Sequence, residues 1–269
     1  MDTQPRNGAA IEVEHLVAHY GERRILDDVA FRVRYGEIMV IMGGSGSGKS
    51  TLLRHLLGLN RPTAGCIRLL GRDITRLSAD EMYEMRRNMG VSFQGGALFN
   101  SMTVGDNVAL PLKEHTRLDL NTIRIMARMK LEVVNLAGFE DFMPSQLSGG
   151  MVKRAALARA IVMDPRLLFF DEPSAGLDPV VSAELDELIL TLREAMNMTI
   201  VVVTHELESA FKIADRITVL DGGRVLMTGT VAEVRASDNA RIQDLLNRRP
   251  RHQDVDSEAY LRRLTGEPA

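Results

Sequence analysis

The run Gly43-Gly44-Ser45-Gly46-Ser47-Gly48-Lys49-Ser50 fills the pattern G-x-x-x-x-G-K-[ST] without a mismatch. Glycines let such a loop curl tightly and turn its backbone N–H groups inward. The helix opened by Thr51 adds the positive end of its dipole. Lys49 can then neutralise the β- and γ-phosphates of a nucleotide, and Ser50 can place its hydroxyl on Mg²⁺. The loop implies a bound nucleoside triphosphate.

A pair of acids complements that loop. Leu167-Leu168-Phe169-Phe170-Asp171-Glu172 is an apolar run ending in two carboxylates. Neighbouring side chains on a strand point to opposite faces, so the two acids have different tasks. Asp171 is suited to hold Mg²⁺ through water, and Glu172 to polarise the attacking water as a general base. In Leu147-Ser148-Gly149-Gly150-Met151, Ser148 is an N-cap for the long helix that follows. This is a second helix N-terminus able to receive an anion, or simply a capped helix.

These groups need a frame that sets strand ends beside helix starts. Strands and helices alternate along most of the chain, the pattern of an α/β fold. Residues 11–17, 29–33 and 37–42 form a β-rich opening, with 67–70 a further strand. Ser78-Ala79-Asp80-Glu81 has the spacing of a capping box at a helix start. Residues 121–137 carry Met126, Met129, Val133 and Leu136 at the spacing of one helix face. Residues 167–170 and 200–203 are short, all-apolar and bounded by polar turns, as buried parallel strands should be. Asp178-Pro179 supplies an N-cap and a first-turn proline for a helix that buries Val181, Leu185, Leu188, Leu192 and Met196. Asp221-Gly222-Gly223 predicts a tight hairpin.

The 269 residues are 45% hydrophobic and 26% charged, ordinary values for one large domain or two small ones. A net charge of −3 gives no bulk attraction for nucleic acid. The one cysteine, Cys66, excludes an intramolecular disulfide framework and fits a reducing compartment. No apolar run approaches the roughly 18 residues that span a bilayer. The N-terminus has no apolar signal core, so a soluble cytoplasmic protein is expected.

In order and spacing the motifs resemble those of ABC-type ATPases. On that resemblance 43–50 is the Walker A motif, and Leu167–Asp171 is Walker B with Glu172 behind it. Gln94 matches the Q-loop, and Ser148, Gly149 and Gly150 match the signature. Asp178, in Ala175-Gly176-Leu177-Asp178, matches the D-loop, and His205 the H-loop. Tyr20 is similar to the aromatic that stacks on adenine. The resemblance implies a RecA-like core, an antiparallel β subdomain and a helical subdomain at about 95–165, within an ATPase domain spanning 11–235. Residues 236–269 are then a C-terminal extension. It further implies ATP and Mg²⁺ as cofactors, with Ser50, Gln94 and Asp171 around the metal and His205 on the γ-phosphate. Two copies would dimerise head to tail, each ATP lying between the Walker A of one and the signature of the other.

Met151 stands where a glutamine is usual in such ATPases. With the stretches 95–104, 107–116 and 147–160 it makes the chain similar to the ATPases of MCE-associated lipid transporters. Their partners are a polytopic permease, an MCE-domain protein and a small STAS-domain protein. The resemblance implies a peripheral place on the cytoplasmic face of the inner membrane, and phospholipid transport between inner and outer membranes that maintains outer-membrane lipid asymmetry. The rival is the ATPase of a different small-solute ABC transporter. A chromosome-handling ATPase would need a long coiled coil between Gln94 and Ser148, and only a small helical subdomain fits there. A translation-factor type would carry two cassettes, and a sensing module without turnover would lose Glu172 or His205.

Beyond about Ser237 the chain turns polar. Ile242, Leu245 and Leu246 form a short apolar face before Pro250, and Ser257 can cap a second helix carrying Tyr260, Leu261 and Leu264. Helices this short do not hold alone in water. The cationic residues flanking Pro250 should keep the linker off its own core, so these apolar faces are expected to dock elsewhere, on a second copy or a partner, unless the tail is disordered.

Overall fold

The computed structural model describes residues 8–249. The chain runs β1 (Ala9–Tyr20), β2 (Arg23–Arg34), β3 (Ile38–Met42), α1 (Lys49–Leu56), β4 (Ala64–Leu69), β5 (Arg72–Asp73), α2 (Ala79–Arg86) and β6 (Met89–Ser92). A helical stretch follows, α3 (Val104–His115), α4 (Leu120–Val133) and α5 (Gly149–Ile161), with one 3-10 turn, Pro144–Gln146, before α5. Then come β7 (Leu167–Asp171), α6 (Pro179–Met196), β8 (Thr199–Thr204), α7 (Leu207–Ile213), β9 (Arg216–Asp221), β10 (Arg224–Thr230), α8 (Val231–Arg235) and α9 (Ala240–Leu246).

Six strands form the central sheet in the order β10-β9-β3-β8-β7-β6. All neighbours from β9 to β6 are parallel, and β10 closes one edge antiparallel. Side chains of β3, β7 and β8 alternate between two apolar layers. Ile38, Val40, Phe170 and Val202 pack into one; Met39, Ile41, Phe169 and Val201 pack into the other. A strand buried on both faces must be apolar throughout, which explains why these runs show no polar alternation. The second sheet, β2-β1-β4-β5, is antiparallel and shares the Met39 layer.

Register sets the site. Met42 lies opposite Thr204, and Asp171 opposite Val203, so three parallel strands end together. Ligands of open α/β sheets sit at such carboxyl ends. Local signals hold the elements as expected. Ser78 and Glu81 form a capping box on α2, and Asp178 accepts from the Val180 and Val181 amides at the start of α6. The β9–β10 turn uses Gly222 and Gly223 at φ of 54° and 79°, the left-handed pair a two-residue hairpin requires.

Two expectations are corrected. The buried face of α4 is Ile123, Ala127 and Leu131, while Met129 is 59% and Val133 46% exposed; only Leu136, past the helix end, and half-buried Met126 pack inward. Both faces of α4 are apolar at helical spacing, so periodicity alone cannot choose. Packing against α3 and α5 chooses. The second correction concerns α9. Ile242 is fully buried in the chain's own core, with Leu245 and Leu246 half-buried against it. Asn239 caps the helix and α8 supplies a neighbour, so its apolar face needs no other surface. Pro250, Ser257, Tyr260, Leu261 and Leu264 lie outside the described residues. Among the described residues, no helix is long and apolar enough to cross a membrane.

Candidate active site

The loop after β3 turns through Gly46 and Gly48, at φ of 74° and 104°, directly into α1. Gly48 occupies the N-cap position and offers no side chain, so the first amides of α1 stay available to an anion. Gly43 is needed for a steric reason: a Cβ there would stand 2.2 Å from the Leu220 carbonyl oxygen of β9. Lys49 is 9% exposed and donates from Nζ to the Gly43 and Gly44 carbonyls, at 2.8 and 3.1 Å. Burial lowers its pKa, opposed by the carboxylates of Glu172 and Asp171. The lysine thus braces the loop from inside. The Ser47 hydroxyl is buried in the same turn with no partner among the described residues.

Asp171 ends β7 and faces this loop. Burial raises its pKa, the neighbouring Glu172 adds to the rise, and Arg54 and Lys49 oppose it. Glu172 leaves the strand at φ 49°, so the pair is splayed by a left-handed residue rather than by strand alternation. Its Oε2 accepts from the Thr204 hydroxyl at 3.2 Å and the His205 amide at 3.3 Å, and it lies 2.9 Å from His205 Nδ1. The histidine at the end of β8 therefore rests on Glu172.

One cavity of about 870 Å³ unites these parts. Gly44, Ser45, Gly46, Lys49 and Ser50 form its floor, and Asp171, Glu172, Gln94 and His205 its wall. Thr51 continues α1 behind the loop. Among the described residues no three His, Cys, Asp or Glu side chains converge as a metal cage. One carboxylate beside a hydroxyl suits Mg²⁺, which keeps waters and substrate phosphates as its remaining ligands.

The other sequence candidates are not in this cavity. Ser148, whose hydroxyl accepts from the Met151 amide, lines a separate cavity with Gly150, Met151, Arg154 and Val181. Gly149 follows Ser148 in the first turn of α5. Gly150 is required by packing, since a Cβ would approach Val181 Cγ1 to 2.7 Å. Asp178 is committed to capping α6. Tyr20 ends β1 and is 76% exposed.

The sequence profile described as ABC transporter matches residues 26–175. An intermembrane phospholipid transport system ATP-binding protein, MlaF of Haemophilus influenzae, is 45% identical over 89% of this chain and 91% of its own. The chain belongs to the ABC transporter family. It is accordingly an ATPase. MlaF of Escherichia coli K12 is 42% identical over 84% of each chain. A Mycobacterium leprae relative, described as a probable ribonucleotide transport ATP-binding protein, is 43% identical over 90% of this chain and 70% of its own. Among solved structures, the cassette MJ0796, dimeric and bound to ADP and Pi after hydrolysis, superposes with a TM-score of 0.76 at 32% identity, covering 82% of this chain and 98% of its own. The cbiO1 subunit of Clostridium perfringens gives 0.79 at 28% identity over 94% and 98%.

Several residues of this ABC cassette were not singled out by the motifs. Asp244 and Leu245 of α9, with Arg248 and Arg249 beyond it, line the same cavity as the phosphate loop. Leu245 belonged to an apolar face expected to dock elsewhere, and Arg248 and Arg249 to a cationic run expected to keep off the core, whereas both lie against the chain's own phosphate cavity. Arg159, far along α5, donates to the Gly96 and Ala97 carbonyls at 2.9 and 2.8 Å and so fastens the chain after Gln94. Asn107 is fully buried and binds the Phe99 backbone through both its amide and its oxygen. Lys153 binds the main chain around Glu172. Arg159 and Lys153 have no spacing rule that could reveal them, because each acts on backbone distant in sequence.

Proposed function

We propose that this chain is the ATP-hydrolysing subunit of a transporter that moves phospholipid between the inner and outer membranes. The observation that carries the reading is the identity to MlaF along nearly the whole length of that protein. The mycobacterial relatives match as well by identity but extend beyond the aligned region, which favours the lipid reading over ribonucleotide transport. The expected partners are a second copy, a permease like MlaE, an MCE-domain protein like MlaD and a STAS-domain protein like MlaB. Binding to the permease would put the chain on the cytoplasmic face of the inner membrane.

The proposed chemistry follows from the cavity. Lys49 and the amides from Gly43 to Thr51 cradle the phosphates of ATP, and Tyr20 stacks on its adenine. Mg²⁺, held by Ser50, Asp171 and Gln94, would offset phosphate charge. Glu172 takes the proton of the attacking water as general base. Its bond from Thr204 aims the carboxylate, and His205 can turn from Glu172 to the γ-phosphate. Within one chain the signature and the phosphate loop line different cavities, which supports a sandwich of two copies. Ser148, Gly149 and Gly150 of one then meet the γ-phosphate held by the other, next to Asp178. Phe99, half-exposed shortly after Gln94 in the chain and with its main chain fixed by Asn107, would help receive a helix of the permease.

The test is purification of the chain with its membrane partners, followed by identification of co-purified lipid and ATPase assay with added phospholipid or ribonucleotide. Bound phospholipid and phospholipid-stimulated turnover are expected. A complex that carries no lipid and responds to ribonucleotide overturns the reading.

A further inference from the structure

Lys153 sits on α5, one turn beyond the signature residues that begin this helix. Its ammonium donates to the main-chain carbonyls of Pro173 at 2.6 Å, Ala175 at 2.7 Å and Glu172 at 3.4 Å. An ammonium has three donors, and all three are spent on the single turn that leaves β7. Burial lowers the Lys153 pKa, with the Glu172 carboxylate opposing, so desolvation is the cost of this placement.

The turn it holds is under strain. Glu172 has a positive φ of 49°, uncommon for a residue with a side chain and maintained only where the surroundings over-determine it. Its own amide bonds to the Val203 carbonyl at 2.8 Å, and its carbonyl also accepts from the Ala175 amide at 3.2 Å. Between the carbonyls that Lys153 grips lies Ser174, whose hydroxyl is buried, 4% exposed and without a partner among the described residues. A buried hydroxyl left without a partner adds to the cost of holding this turn in shape.

We propose that Lys153 is a positioning residue that links the two ATP sites of the dimer. When Ser148, Gly149 and Gly150 engage the γ-phosphate held by the second copy, α5 moves as a rigid rod. Lys153 passes that shift to the Glu172 main chain in its own copy. The link rests on the head-to-tail sandwich proposed above. The signature residues and Lys153 share the first turns of one stiff helix, so a displacement at one is felt at the other. Gly150 and Val181 line one cavity with no room between them for a further side-chain carbon, so the same displacement would reach the start of α6, which Asp178 caps.

The experiment uses the full-length chain with Lys153→Met, which keeps the apolar stem and removes the donors, and Lys153→Arg, which restores them. Turnover against ATP concentration, single-copy nucleotide affinity and Tm are measured. ATP-driven dimerisation is measured in a Glu172→Gln background. For Lys153→Met, turnover should fall about 5–150-fold, the usual span of a coupling effect, and the Hill coefficient should fall from near 2 to near 1. Nucleotide affinity and dimerisation should be retained, and Lys153→Arg should recover much of the loss. Unchanged turnover and cooperativity overturn the proposal. So does a loss that tracks Tm and nucleotide affinity and is not rescued by arginine, which is the mark of a turn that is merely held in shape. If Glu172→Gln with Lys153 intact fails to dimerise on ATP, the sandwich itself is wrong and the link falls with it.

Discussion

The starts of α1 and α5 are both helix N-termini fit for a phosphate, yet they are built differently. At α1 the cap is a glycine in the left-handed region, no side chain competes for the amides, and a buried lysine stands behind the loop with two carboxylates facing it. At α5 a serine caps the helix with its own oxygen, and the cation lining the cavity, Arg154, is already paired with Glu184. The first is a charged site that can bind a nucleotide by itself. The second offers neutral donors, worth little to an anion in water and more once another site has fixed and desolvated it. On the proposed sandwich, that asymmetry would let one chain hold ATP alone yet need a second copy to complete the site.

The sharpest way to separate the halves is to stop chemistry while both stay intact. Glu172→Gln should lower hydrolysis by roughly 10²–10⁴-fold, keep ATP binding and trap the dimer. Near-normal turnover would falsify the base assignment. Next in size is a paired measurement. Lys49→Ala should weaken nucleotide binding by the isolated chain about 10–100-fold, since a charge-assisted contact and the brace on Gly43 and Gly44 go together. Ser148→Ala should leave that affinity alone and weaken ATP-driven dimerisation, in the Glu172→Gln background, by about tenfold. Titration calorimetry and size-exclusion read the two quantities; equal effects on both would erase the distinction between charged and neutral halves.

The smallest effect concerns pH and belongs to the charged half alone. Burial holds the Asp171 carboxyl above its ordinary range, so the folded chain keeps that proton more readily than the unfolded one. Ionisation of Asp171 therefore costs stability as pH rises through the raised value. Asp171→Asn should raise the Tm of the nucleotide-free chain near pH 7 and lose that gain below the ordinary carboxylate range. A gain independent of pH would assign it to packing instead.

Much of the charged half was legible in the residues themselves. A loop of glycines with Lys49 and Ser50, an apolar strand ending at Asp171, and caps at Ser78 and Asp178 are local devices, each written within a few residues. Strand alternation misjudged how the acids separate, since Glu172 turns out of the strand at a positive φ that no pattern encodes. The face of α4 was illegible because both its faces are apolar and only α3 and α5 select between them. The docking of α9 was hidden for a similar reason: Ile242 joins a core shared with the central sheet and its helices, which no local spacing reveals.

By itself, the sequence determined the chemistry of each part: which loop is built to cradle phosphate, which strand ends in acids, which helix start is neutral. Tertiary structure alone decided what meets what. Parallel register of β3, β8 and β7 gathered Lys49, Asp171, Glu172 and His205 into one cavity and left Ser148 in another. It also aimed Lys153 at three carbonyls some twenty residues away. Local chemistry depends on neighbours along the chain and can be read from them, whereas contacts across the sheet depend on the packing of the whole core.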